Sequence, residues 1–258
     1  HLLTEVERRA YADRSEHLGD PDFWKIPISM LTSKEYAKNR MKTFSKERAT
    51  LSTDISASKN IHNESIETTH YSVVDKSGNA VSVTTTINLN YGSGIVVEGA
   101  GFFLNNEMDD FSSKPGVPNV FGLIGNEANA IEPNKRPLSS MTPTIILKDD
   151  KPFMVIGSPG GSTIITTTLQ NILNVIEFNM DIEEAVSSPR FHSQWLPDVI
   201  QIEPRSLPKD VLIKLKEKGH QVVPYRWGYI GEANGILILK DGLYGGGDNR
   251  GETSAIGY

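Results

Sequence analysis

Two β-rich runs, "THYSVVD" at residues 69–75 and "AVSVTTTI" at residues 80–87, are separated only by Lys76-Ser77-Gly78-Asn79, and no other feature constrains the fold as strongly. Their β-branched and aromatic residues suit a pleated, half-buried surface, and Gly78 supplies the positive φ of a tight hairpin turn. The signature recurs in "PTIILK" and "PFMVIG" around Asp149-Asp150-Lys151, and in "GILILK" and "LYGGG" around Asp241-Gly242. Single strands are expected in "DVIQIE" and "QVVPYR". Helical patterns group elsewhere: Leu3, Val6 and Ala10 on one apolar face, Ser33 capping "KEYA", "TIITTTLQNILNVIEF" after residue 162, "DIEEAVSSP" and "LPKDVLIKLKEKG". Antiparallel hairpins with separately grouped helices predict an α+β layered architecture, not a doubly wound parallel sheet.

Composition excludes several function classes. With 258 residues and 38% hydrophobic content the chain can bury a sizeable core, and its net charge of -6 lacks the basic footprint that nucleic acid or an anionic membrane needs. No apolar run is long enough for a membrane span. The start, His1-Leu2-Leu3, has neither an initiator Met nor a signal pattern, so the natural protein is expected to continue upstream, with any targeting signal there. The absence of cysteine rules out disulfides, thiolate sites and Cys nucleophiles. Six scattered histidines show no ligand spacing and no H-E-x-x-H, so neither a metal nor a cofactor is expected.

Residues 51–67, "LSTDISASKNIHNESIE", have the composition of an exposed connector, so Thr68 stands where a soft linker meets a rigid strand. A Thr at a chain N-terminus is a nucleophile that carries its own base, an α-amine of pKa about 7.7–8.0. That chemistry requires the bond after Glu67 to break: the Thr68 hydroxyl attacks the Glu67 carbonyl, and water hydrolyses the resulting ester. Locally, Thr68 and Thr69 also suit a plain strand entrance, and His70 suits a triad base or a metal ligand, although no G-x-S-x-G accompanies it. "GSPGGS" at residues 157–162 leads from strand to helix. It can form a tight turn, an anion cradle or an oxyanion hole built on the Gly160 and Gly161 amides. The acids Glu107, Asp109 and Asp110 suit an ammonium group, and Ser139-Ser140 after Lys135-Arg136 suit a carboxylate; together they fit a zwitterionic amino acid. Phe23 and Trp24 are expected to pack on a neighbour.

Taken together, "TTHYSVVD", "NNEMDDF", "KPGVPNVFGL", "PNKRPLSSMTPTI" and "GSPGGS" resemble the γ-glutamyltranspeptidases, in order from Thr68 to Gly257-Tyr258. The resemblance implies a four-layer αββα N-terminal nucleophile (Ntn) hydrolase fold and a precursor that cleaves itself. Residues 1–67 would be the end of the large subunit and residues 68–258 the small, catalytic one. It implies Thr68 as nucleophile, Thr86 as the hydroxyl bonded to it, and Gly160 and Gly161 as the oxyanion hole. Asn88, Glu107 and Asp110 would hold the substrate's α-amino end and Ser139 and Ser140 its α-carboxylate. The implied reaction is γ-glutamyl transfer from glutathione to an amino acid, peptide or water, in the periplasm or outside the cell, with the large subunit as partner and neither nucleic acid nor cofactor. An arginine that the family supplies from further upstream is outside the chain, so the chain alone is expected to be inactive. Phe121 stands where the family's lid often carries tyrosine. A cephalosporin acylase, a poly-γ-glutamate depolymerase and a non-catalytic amino-acid or anion-binding module are the alternatives.

Overall fold

The computed structural model describes residues 1–55, 68–119 and 123–257. In chain order the elements are helices α1 (Leu2–His17), α2 (Ile28–Leu31), α3 (Lys34–Arg40) and α4 (Ser52–Ile55), then strands β1 (Thr69–Val74), β2 (Ala80–Thr85), β3 (Thr144–Lys148) and β4 (Lys151–Gly157). Helices α5 (Thr163–Ile176) and α6 (Ile182–Ser187) follow, then β5 (Phe191–His192), β6 (Ile200–Ile202), α7 (Lys209–Glu217), β7 (Val222–Pro224), β8 (Asn234–Leu239) and β9 (Gly242–Gly247). The chain divides into two compact units. The first comprises His1–Glu64, Glu107–Ser139 and Phe191–Tyr225; the second comprises Ser65–Asn106, Ser140–Arg190 and Arg226–Tyr258.

The second unit holds the three expected hairpins. Strands β1 and β2 pair antiparallel from Thr69↔Thr85 to Val74↔Ala80, and β3-β4-β8-β9 form an antiparallel sheet. The turn after β3 works because Asp149 and Asp150 both adopt positive φ, 53° and 58°, the geometry that matches strand twist. Alternation along β4 separates its two faces. Met154 and Ile156 join Val175 of α5 and Ile182, Ala185 and Val186 of α6 in one apolar core, while Gly157 faces the β1–β2 hairpin. The layers of this unit therefore run helix, sheet, sheet. Asp181 caps α6 through a capping box with Glu184, which fixes where that helix starts.

The inner face of the hairpin is polar. Buried His70 shares a 2.8 Å hydrogen bond between Nδ1 and Thr84 Oγ1 and a 3.1 Å bond between Nε2 and Ser72 Oγ, and Ser82 Oγ donates to the Ile156 carbonyl at 3.2 Å. Gly157 has to be glycine here, because a Cβ would lie 2.2 Å from His70 Cε1.

The first unit departs from expectation at α1. The helix forms, but its expected apolar face is largely the open one: Val6 and Ala10 are exposed and Leu3 is half-buried, whereas Glu5, Glu7, Arg8 and Arg9 are buried. Buried charges persist only when paired. Here Glu5 accepts from Arg9 at 2.7 Å and from the Thr50 amide at 2.9 Å, and Arg8 meets Asp198 at 2.6 Å. Ser33 caps α3 as expected, accepting from the Tyr36 amide at 3.1 Å. Phe23 and Trp24 do not pack away; they are 41% and 38% exposed, with Lys135 Nζ over the Phe23 ring. The connector also begins later than its composition suggests, since Ser52 is buried, with its hydroxyl on the Trp195 carbonyl and its amide on Asp198. The rest of that connector, residues 56–67 including Glu67, lies outside the described residues. Strands β6 and β7, joined through α7, pair in parallel rather than as a hairpin.

Candidate active site

Thr68 immediately precedes β1. Extending the β1–β2 register by one step past Thr69↔Thr85 brings it across from Thr86, on the same inward face as His70 and Thr84. Both threonines are half-buried. Thr86 Oγ1 accepts the Asn88 amide at 2.8 Å.

Asn88 is buried and adopts φ 75°, a left-handed conformation that Asn tolerates better than most residues. Its Nδ2 donates to the Asn106 carbonyl at 3.0 Å, while Asn106 Oδ1 takes the Leu89 amide at 3.1 Å. One N–H of the Asn88 amide is thus committed to the protein, and its Oδ1 is the atom that could accept from an ammonium.

The strand-to-helix turn is the second feature of this unit. Ser158 Oγ accepts the Glu232 amide at 3.0 Å, and the Gly160 and Gly161 carbonyls receive the first amides of α5, from Thr163 and Ile164, at 3.0 and 3.2 Å. Positive φ values of 137° at Gly160 and 56° at Gly161 turn the chain into the helix. A Cβ on Gly160 would sit 2.5 Å from Thr163 Oγ1. Among the described residues neither glycine N–H donates to a protein acceptor. Two buried amides at a helix N-terminus suit an oxyanion.

In the first unit, Glu107 to Asp110 form a single 3-10 turn. Burial pushes the Asp110 carboxyl up to about 7, helped by its hydrogen bond and charge repulsion with Glu107 and opposed by Arg14. Asn129 ties this turn to the serine segment, donating to the Asp110 carbonyl at 2.7 Å and accepting the Leu138 amide at 2.9 Å. Ser139 is exposed, and its carbonyl receives Arg14 Nη2 at 3.4 Å. Ser140 is half-buried and belongs to the second unit.

The basic pair expected to serve the serines does not. Arg136 forks onto Asp20, at 3.0 Å through Nε and 2.6 Å through Nη2, and Lys135 holds Glu132 at 2.8 Å. The cation that reaches Ser139 is Arg14, which no motif marked; at the end of a charged helix it reads as a favourable helix-dipole charge. Asn129 carried no signal either, being one of several amides in a long loop. His70 is no triad base, because burial lowers its pKa to about 4 and both ring nitrogens are engaged with hydroxyls. Folding also unites histidines that sequence spacing kept apart: the ligand atoms of His1, Glu5 and His220 lie within 4.8 Å of one another. Glu5 is held by Arg9 and Thr50, which leaves it poorly disposed toward a cation. Phe121 lies outside the described residues.

The family model described as Gamma-glutamyltranspeptidase matches residues 1–258. A glutathione hydrolase proenzyme of Escherichia coli K12 is 52% identical over 250 residues, covering 96% of this chain and 43% of the relative. The chain thus spans less than half the length of such relatives. A crystal structure of a Helicobacter pylori gamma-glutamyltranspeptidase mutant aligns with TM-score 0.69 and 59% identity, over 71% of this chain and 100% of that one. A cephalosporin acylase from Bacillus halodurans, at 24% identity and TM-score 0.79 over 98% of this chain and 45% of that one, shares the fold.

Proposed function

This chain belongs to the γ-glutamyltranspeptidase family, and from that premise we propose that the complete protein containing it is a γ-glutamyl transferase and hydrolase acting on glutathione and related amides. The α+β fold of the N-terminal nucleophile type stands, as does the relation to proenzymes. Residues 1–67 are read as the end of the large subunit, its partner after processing, and residues 68–258 as the small one. Those 191 of 258 residues are 74% of the chain, close to the 71% that matches the complete Helicobacter chain. A periplasmic or extracellular location belongs to the same reading.

In this mechanism the α-amine of Thr68 takes the proton from its own hydroxyl as Oγ1 attacks the γ-carbonyl. The Gly160 and Gly161 amides stabilise the oxyanion; removing one such donor typically costs about a hundredfold to a thousandfold in kcat. The leaving amine receives the proton, and a γ-glutamyl ester remains on Thr68 until an amino acid, peptide or water takes the acyl group. Thr86 positions the nucleophile, Asn88, Glu107 and Asp110 hold the substrate ammonium, and Ser139 and Ser140 hold its carboxylate.

The observation that carries the reading is the position of Thr68, one residue before β1 and in register with Thr86. Intact mass spectrometry of the complete protein tests it. The wild type should split before Thr68 and the Thr68→Ala variant should remain whole and inactive; a wild type that stays uncut while turning over γ-glutamyl amides would overturn it.

A further inference from the structure

Asn129 and Arg14 join the two segments of the first unit on which substrate holding would depend. Asn129 is 5% exposed and uses both ends of its amide: Nδ2 holds the carbonyl of Asp110 and Oδ1 holds the amide of Leu138, one residue before Ser139. Its own carbonyl accepts the Ser112 amide at 2.8 Å, which anchors Asn129 to the same loop. Arg14 lines a small cleft together with Asp110, Asn129 and Leu138, and donates to the Ser139 carbonyl. It also opposes protonation of Asp110.

A short side chain that donates and accepts at once is an amide, so Ala, Leu or Asp at position 129 would each leave a buried backbone group without its partner. The two charges of an α-amino acid sit on one carbon at fixed separation, so a site that reads both must hold its two grips at a matching distance. We propose that Asn129, with Arg14 as a second tie, is a positioning residue that sets the spacing between the acidic grip at Glu107–Asp110 and the hydroxyl grip at Ser139. Selectivity for donors carrying both α-ammonium and α-carboxylate follows from that spacing. The proposal rests on the γ-glutamyl reading above.

Three donors separate the outcomes, assayed with the complete protein: γ-glutamyl-p-nitroanilide, glutaryl-p-nitroanilide without the ammonium, and 4-aminobutyryl-p-nitroanilide without the carboxylate. Asn129→Asp and Arg14→Met should each raise KM for the full donor about tenfold, with kcat held within about twofold. Assayed at about pH 9, well above the range in which Asp110 titrates, neither should change kcat/KM on the two truncated donors by more than about twofold, and Arg14→Lys should recover part of the loss. Equal losses on all three donors, or no loss on any, would overturn the proposal. Arg14→Met keeps the test open should Asn129→Asp fail to fold. A wild type that does not favour the full donor over the truncated ones would instead remove the γ-glutamyl reading, and the proposal with it.

Discussion

The chemistry of Asp110 depends strongly on its surroundings. An exposed Asp ionises near pH 3.8, but burial and Glu107 move this one up to about 7. Its charge is what would attract an ammonium, so affinity for the donor should fall as pH drops through 7. The expected outcome is a KM for γ-glutamyl-p-nitroanilide that is flat above about pH 8 and rises toward tenfold per unit below 7, a slope that Asp110→Asn abolishes. KM is the quantity to follow, because kcat also carries the titration of the Thr68 amine.

At the scale of elements, the β1–β2 hairpin and β4 approach closely only because Gly157 leaves room for the His70 ring. Gly157→Ala should destabilise the protein by about 1–3 kcal/mol through overpacking. His70→Ala removes the obstacle, so the double variant should lose less than the sum of the two singles in thermal melting. Helix α1 carries a second test. Buried Glu7 has its pKa raised well above 4.5 by loss of solvent, so the stability it contributes is fully present below pH 4.5 and declines as pH rises toward the folded value. Glu7→Gln keeps the shape without the titration, and should raise Tm more at pH 8 than at pH 5.

At the scale of the whole molecule, the chain covers only 43% of the length of the Escherichia coli relative. The outer face of the β1–β2 hairpin shows Tyr71, Val73 and Val81 between 44% and 49% exposed, an apolar strip on the hairpin that follows Thr68. Residues 68–258 produced alone should turn over no γ-glutamyl-p-nitroanilide, and co-expression with the upstream remainder of the protein should restore activity; a fully active isolated segment would contradict the two-subunit reading.

Local signals made the hairpins, the α3 cap, the α6 helix and the strand-to-helix turn at Gly160 legible in the sequence. A period of two, a glycine at positive φ and an Asp or Ser before a helix each act within a few residues of where they stand. The start of β1 just after Thr68 was legible for the same reason, as an abrupt onset of β-branched and aromatic residues. Tertiary structure alone decided which face of α1 is buried, because the partners that make Glu5 and Arg8 tolerable inside are Thr50 and Asp198, 45 and 190 residues away. It also decided that Arg136 serves Asp20 rather than the serines, that Asn129 and Arg14 hold the acidic and hydroxyl segments, and that Asp110 titrates near neutrality. Burial and the distance between charges control these properties, and both are set by contacts between segments far apart in the chain.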